Sequence, residues 1–336
     1  MHRDPLTADA ECLATLTAVV PNFCGNDRMR LMNPSRILLS AILLLTLAAG
    51  QSFSQGVAIT FDDLPLNGEL PPGMTRVQVV RDVLSILKQR KAPQVFGFVN
   101  AKKLEGNPDA AAALKEWVAG GQRVGNHTYS HIDLQQNTIA AFERDVVQNE
   151  PALELLSPGD DWHWLRYPFL REGDTIEKRR AVRVYLRDHG YKVAQVTMDY
   201  EDYAWNTPYA RCAAKQDARS IEWLISNYVS VASDYIDGDR AMAKLVYGHD
   251  INHVLLLHLG AFSSTILPQL LDMLQEKHMH LVTLEEAESD PAYQIDPDAP
   301  TDRFGGSLLE QMMNVKKLPY PKLPPKPFKQ LESVCR

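Results

Sequence analysis

The chain has 336 residues, 45% hydrophobic and 23% charged, with 35 Lys and Arg against 42 Asp and Glu for a formal charge of −7. That length supplies core for one large domain or two medium ones. The acidic balance, with no Lys/Arg-rich block, argues against a nucleic-acid surface and suits a neutral or cationic partner.

The first segment, Met1 to Arg28, is too long for a signal n-region and carries Asp4, Asp9, Glu11 and Asp27. A start at Met29 or Met32 gives a short basic n-region ahead of the apolar run Ile37–Ala49, and the small residues Ala48, Ala49 and Gly50 end that run. A run of about 13 residues is short for a bilayer span and fits the h-region of a secretory signal. Residues 1–54 are therefore expected to be a non-native extension plus a signal peptide, Met29–Gly50 or Met32–Ser54. The mature protein is then secreted or periplasmic, with no stable membrane span. Cys12 and Cys24 would leave with that segment, and Cys212 and Cys335 can pair in an oxidising compartment, pinning the tail to the body.

From Gly56 onward, strand-like and helix-like segments alternate. Val57–Phe61 is an apolar strand, Arg76–Lys91 has helical spacing, and Gln94–Val99 is strand-like again. Ala110–Ala119 is an Ala-rich helix stopped by Gly120-Gly121. Arg123–Gly125 leads into His127, Ile139–Leu156 reads as a helix, and His163–Tyr167 as a strand entering Pro168. Thr175–His189 is a charged helix, Lys192–Thr197 a strand, and roughly Ala213–Leu245 one long helical region. Val254–Leu257, Thr265–Lys277 and His280–Thr283 read as strand, helix and strand. This alternation predicts an α/β fold with a parallel sheet, closed into a barrel. Beyond about Asp290 periodicity is lost, and Leu318–Phe328 reads as an extended, polyproline-like tail, draped over the body or loose.

Asp62/Asp63, His127, Arg166, Asp199 and His258 each fall just past the end of a predicted strand, the rim where α/β barrels build their sites. Asp-Asp after a strand can be a turn or a cap; as chemistry, Asp63 binds a divalent ion and Asp62 takes a proton from the water that the ion activates. His127 and His131 converge on one ion if their segment makes a helical turn. Asp plus two His leaves open positions on the ion, the catalytic rather than the structural arrangement. Thr128 and Ser130 hold that loop or contact a substrate anion. Arg166, before Pro168, clamps Asp62 through its planar fork, and a backbone N–H after Pro168 faces a developing oxyanion. His258 acts as general acid if an aspartate contacts its other ring nitrogen, Asp202 being the first choice and Asp199 the alternative.

The ordered set Thr60-Phe-Asp-Asp63, His127-Thr-Tyr-Ser-His131, Arg166-Tyr-Pro-Phe169, Asp199-Tyr-Glu-Asp-Tyr203 and Leu256-Leu-His258 resembles the five motifs of the polysaccharide deacetylase (NodB-homology) family. The resemblance covers roughly Gly56 to Glu288. It implies a distorted (β/α) barrel with a single catalytic domain at 55–290 and a Pro-rich tail at 291–336. It also implies a metal-dependent hydrolase that removes acetyl groups from carbohydrate: an N-acetylglucosamine polymer such as peptidoglycan or chitin, or O-acetylated xylan. By motif, Asp62 is the base, Asp63, His127 and His131 hold the ion, Arg166 orients Asp62, and His258 is the acid. The ion expected is zinc, with cobalt, nickel or manganese as alternatives. Leu64-Pro65 stands where the family has Gly-Pro, and Tyr203 where it has Trp. The longer stretch between Asp202 and His258 suggests an insertion shaping the substrate groove. Two rivals are hydrolysis of a non-peptide C–N bond in a small amide and a catalytically silent carbohydrate-binding protein.

Overall fold

The computed structural model describes residues 55–336, so the extension and signal segment expected at 1–54 lie outside the described residues. β1 (Gln55–Leu64) is the central strand, buried on both faces, which is why it reads as an unbroken apolar run rather than an alternating one. The chain continues through α1 (Arg76–Gln89), β2 (Phe96–Val99), α2 (Pro108–Ala119), β3 (Arg123–Asn126), α3 (Ile139–Leu156), β4 (Trp164–Leu165) and α4 (Ile176–Asp188). It then forms β5 (Lys192–Val193), α5 (Asn206–Ala214), α6 (Ala218–Tyr247), β6 (His253–His258), α7 (Ser263–Glu276), β7 (Met279–Leu281) and α8 (Leu284–Glu288). All strand pairs are parallel, in the order β5-β4-β3-β2-β1-β6, and β7 pairs with the start of β1. Among the described residues, no helix is long and apolar enough to cross a membrane.

The sheet closes into a distorted barrel through the chain that follows β5. Lys192 and Ala194 donate backbone bonds to His163 and Leu165 on the β4 side. Met198 then donates to Val254 and accepts from Leu256, on the β6 side. One short segment thus bonds to both ends of the open sheet and leaves the strand C-termini together on one rim. Helix starts follow local chemistry: Thr75, Asn107, Thr138, Thr175, Asp217 and Thr283 each accept a backbone N–H from the first turn of the helix they precede.

Three expectations are corrected. The helical region near Ala213–Leu245 is two helices, broken at Gln216 with φ 54° and restarted by the Asp217 cap on Ser220. His127–His131 is not a helical turn: Thr128 and His131 both take left-handed backbone, with φ 60°. The tail is not featureless beyond Asp290. It carries α9 (Leu308–Lys316), opened by a reciprocal Ser307/Glu310 capping box, and α10 (Phe328–Ser333). Leu308, Leu309, Met312 and Met313 of α9 are buried in a cluster with Met242, Ala243 and Val246 of α6. The Pro-rich stretch between α9 and α10 has no regular element and lies along α6, where Leu323 packs over Gly238 and Tyr235 donates its hydroxyl to the Pro324 carbonyl. A Cys212–Cys335 disulfide, Cα–Cα 5.1 Å, ties the tail's end to α5.

Candidate active site

β1 ends by delivering two adjacent carboxylates in different directions. Asp62 is still in the strand, in register with His258 of β6, and is buried. Asp63 takes left-handed backbone, φ 66°, which breaks the strand's alternation and brings its carboxylate to the same rim. Arg166 is wholly buried and spans the barrel interior: Nη1 reaches Asp62 Oδ1 at 3.0 Å, Nη2 donates to Thr60 Oγ1, and Nε donates to the Ala194 carbonyl. Its guanidinium also lies 4.6 Å from the Phe98 ring centre. Burial pushes the Asp62 carboxyl up from its ordinary value, and Arg166 opposes that rise.

The ligand atoms of Asp63, His127 and His131 lie within 4.8 Å of one another. A hydrogen-bonded loop produces this convergence without a helix. Asn126 Oδ1 accepts the Thr128 N–H, Thr128 Oγ1 accepts the Ile132 N–H, and Asp145 of α3 receives both the N–H and the hydroxyl of Ser130. Thr128 and Ser130 therefore brace the loop.

The donor set fits a divalent cation on three counts. His127 Nδ1 bonds the Arg166 carbonyl at 2.8 Å, so that nitrogen carries the proton and Nε2 keeps a free lone pair. Burial lowers His127 to about 3, and burial with neighbouring His127 lowers His131 to about 4, so both rings are neutral at pH 7 and could serve as ligands. Burial alone would raise Asp63, but Lys103, His127 and His258 outweigh it and hold it well below the carboxylate range, hence anionic. One neutral–neutral–anionic set of N, N and O donors suits zinc and its first-row neighbours.

On the other side of the pocket, Glu201 adopts left-handed backbone, φ 61°, and a short turn at Asp202–Trp205 follows. That turn carries Asp202 under β6, where Oδ1 meets His258 Nδ1 at 2.7 Å and Oδ2 accepts the His258 N–H at 2.9 Å. Burial works against a charged His258, yet Asp202 prevails and lifts it to about 9. Asp199, the alternative partner, instead caps the Glu201 N–H. Burial raises Asp199 to about 6.

A pocket of about 530 Å³ brings Asp62, Asp63, His127, His131 and His258 to one surface. Arg166 and Asp202 stand behind it, each holding one of the lining groups. Sequence reasoning missed several contributors. Lys103 donates to Asp63 Oδ1 at 3.0 Å and to its carbonyl, and Asn67 donates to Asp63 Oδ2 at 2.7 Å. Glu310 and Lys326 line the pocket from the tail. Lys103 had no local signal, because helix α1 and strand β2 separate it from Asp63; Ser307-x-x-Glu310 did carry a helix-start pattern.

The polysaccharide deacetylase family model matches residues 50–194. The chain is 24% identical over 235 residues to a chitin deacetylase of Arthroderma benhamiae, covering 70% of this chain and 52% of that protein. It is 24% identical over 152 residues to a peptidoglycan-N-acetylglucosamine deacetylase of Bacillus cereus, covering 45% and 61%. The chain thus spans about half to three-fifths of the length of these relatives. Among solved structures, the chitin deacetylase of Colletotrichum lindemuthianum is similar at TM-score 0.46 and 24% identity, covering 70% of this chain and 88% of that one.

Proposed function

We propose that the chain belongs to the polysaccharide deacetylase family and that it hydrolyses acetyl groups from an acetylated carbohydrate. The substrate class is an N-acetylglucosamine polymer such as chitin or peptidoglycan, with O-acetylated xylan as the ester alternative. The observation that carries this reading is the pairing of Asp62 and His258 across one pocket, each held by its own buried partner.

Asp62 is the base that accepts a proton from the attacking water as its oxygen adds to the acetyl carbonyl carbon. Arg166 fixes the direction of that carboxylate, and its other bonds to Thr60 and Ala194 prevent it from following the substrate. His258 gives its Nε2 proton to the departing nitrogen or oxygen as the C–N or C–O bond breaks, and acetate leaves. Asp202 orients that imidazole and stabilises its charged form before the transfer. A backbone N–H near Phe169 stabilises the oxyanion. Asp63, His127 and His131 would hold a divalent cation, zinc being the ion their donor set favours. When bound, it supplies positive charge that acidifies water and polarises the carbonyl.

The disulfide suits export to an oxidising compartment. Acetate release from metal-loaded protein on acetylated chitin oligomers, peptidoglycan and xylan tests the proposal. Turnover of at least one supports it; no acetate from any of them would favour the small-amide or silent-binder readings.

A further inference from the structure

The tail supplies a strap, residues 301–310, that meets the site on three sides. Thr301 N–H and Oγ1 both donate to the Gly173 carbonyl, and Thr301 Oγ1 accepts the Glu172 N–H. Gln135, just past the His127–His131 loop, donates its side-chain amide to the Asp302 carbonyl at 2.8 Å. Leu308 N–H reaches the Val196 carbonyl at 2.7 Å, on the segment that closes the barrel. Gly305 explains how closely the strap sits: with φ +85°, a Cβ there would fall 1.9 Å from the Phe169 carbonyl oxygen. Only a glycine permits that approach. The strap is therefore backbone-to-backbone against the Arg166–Phe169 loop.

This placement puts an aromatic from the strap on the pocket lining. Phe304 is 72% exposed, and the two other exposed aromatics on that lining are Phe169 at 50% and Tyr203 at 44%. Phe169 stacks edge-on against His131, and Tyr203 against His258, so these two rings flank the reacting positions. Phe304 has no ring contact with either; the Arg303 guanidinium lies 4.3 Å from its ring centre, and with 72% of the residue exposed it leaves apolar surface open to solvent beyond the acetyl site. The lining near the strap carries Asp199, Glu201 and Glu310 against Lys326 and Arg171, and Lys326 is already paired with Glu201 at 2.7 Å. An anionic wall with a solvent-facing ring disfavours uronates and phosphorylated glycans. It suits a neutral pyranose, whose C–H face covers an aromatic while its hydroxyls stay hydrated.

We infer that the strap forms a sugar subsite in which Phe304 stacks on a ring neighbouring the one that is deacetylated, so that the tail reads chain length in a neutral N-acetylhexosamine oligomer. The inference rests on the deacetylase reading for its ligand class. Two measurements on the full-length, metal-loaded protein separate the two. Calorimetry in an Asp62→Asn background reads affinity for tetra-N-acetylchitotetraose without turnover, and acetate release in the Asp62 background reads catalysis. Phe304→Ala is expected to weaken tetramer binding roughly tenfold, with Phe304→Tyr restoring it and a smaller loss for the monosaccharide. Unchanged affinity in Phe304→Ala overturns the subsite whatever the acetate assay gives. An equal loss for monomer and tetramer overturns the chain-length reading. If the protein binds the tetramer but releases no acetate, the deacetylase reading falls and the Phe304 comparison still decides the subsite. Failure to bind at all sinks both.

Discussion

Replacing Asp202 by Asn tests the proposed acid most directly, because its effect has a pH signature that general damage lacks. Asp202 holds His258 by two bonds and raises it to about 9. A general acid must start protonated, so activity falls as pH rises through that value. At pH 8 a histidine with a pKa of about 9 is about 90% protonated; at the ordinary pKa of about 6.5 it is about 3% protonated. The expected loss in kcat/KM at pH 8 is therefore about 30-fold, with burial lowering the histidine further and the Asp62 and Asp63 carboxylates opposing that in part. With a cation bound, both values move down together, which shifts the pH of maximal contrast but not its direction. The same shift bears on the fold: stability contributed by charged His258 is fully present below about pH 6.5 and is lost as pH rises through about 9. The assay is acetate release from pH 5.5 to 9.5, expressed as the ratio of variant to wild type at each pH, which cancels the titration of Asp62. A ratio that narrows steadily toward low pH supports the assignment. A ratio that is flat across the range would refute it.

Asp62→Asn should abolish turnover while the protein keeps stoichiometric metal, whereas His127→Ala should lose metal; elemental analysis beside acetate release checks both, and wild-type rates in Asp62→Asn would remove it as the base. Cys335→Ser opens a link between residues 123 apart in sequence. Chain-entropy reasoning allows up to about 5 kcal/mol for such a loop and experience about 2–4, so denaturant unfolding should show a clear loss, and an unchanged midpoint would count against the bond. Ending the chain at Asp290 removes four buried side chains of α9, Leu308, Leu309, Met312 and Met313. At roughly 1.5–3 kcal/mol each, the sum rivals a whole domain's stability. The truncated chain should therefore fail to unfold cooperatively, and a native-like circular dichroism melt would contradict this.

Much of the barrel was legible because its strands are buried on both faces. Val57–Phe61 and Val254–Leu257 read as apolar runs, and the structure extends each by a residue or more at both ends. That the candidate residues would meet was legible for a related reason: each stands at or just past a strand end, and strand C-termini share a rim. What the sequence hid was conformation that depends on distant partners. His-x-x-x-His invited a helical turn, but Asn126 and Asp145 supply side-chain bonds that favour two left-handed residues instead. The choice between Asp199 and Asp202 turned on the left-handed Glu201, which local spacing does not specify. The part of the site contributed by the tail was obscured by composition. Prolines at 319, 321, 324 and 325 suggested loose chain, while the buried stripe of α9 upstream was short enough to escape a periodicity reading.

Three histidines lie on this pocket, and their surroundings drive them to opposite charge states. His127 and His131 are lowered to about 3 and about 4 and His258 is raised to about 9, although burial works against charge at all three. The acceptor on the far ring nitrogen separates His127 from His258. His127 Nδ1 faces a backbone carbonyl, which orients the ring without supplying an anion. His258 Nδ1 faces the Asp202 carboxylate, which both orients and charges it. A neutral imidazole offers a lone pair to a cation; a charged one offers a proton to a leaving group. Arg166 connects the two sides, since its carbonyl fixes the His127 tautomer and its guanidinium fixes Asp62. One residue in the Arg-Tyr-Pro-Phe segment therefore sets the orientation of a proposed ligand and of the proposed base together. This explains why a fully buried guanidinium is retained at the centre of the barrel, where an isolated charge would be costly.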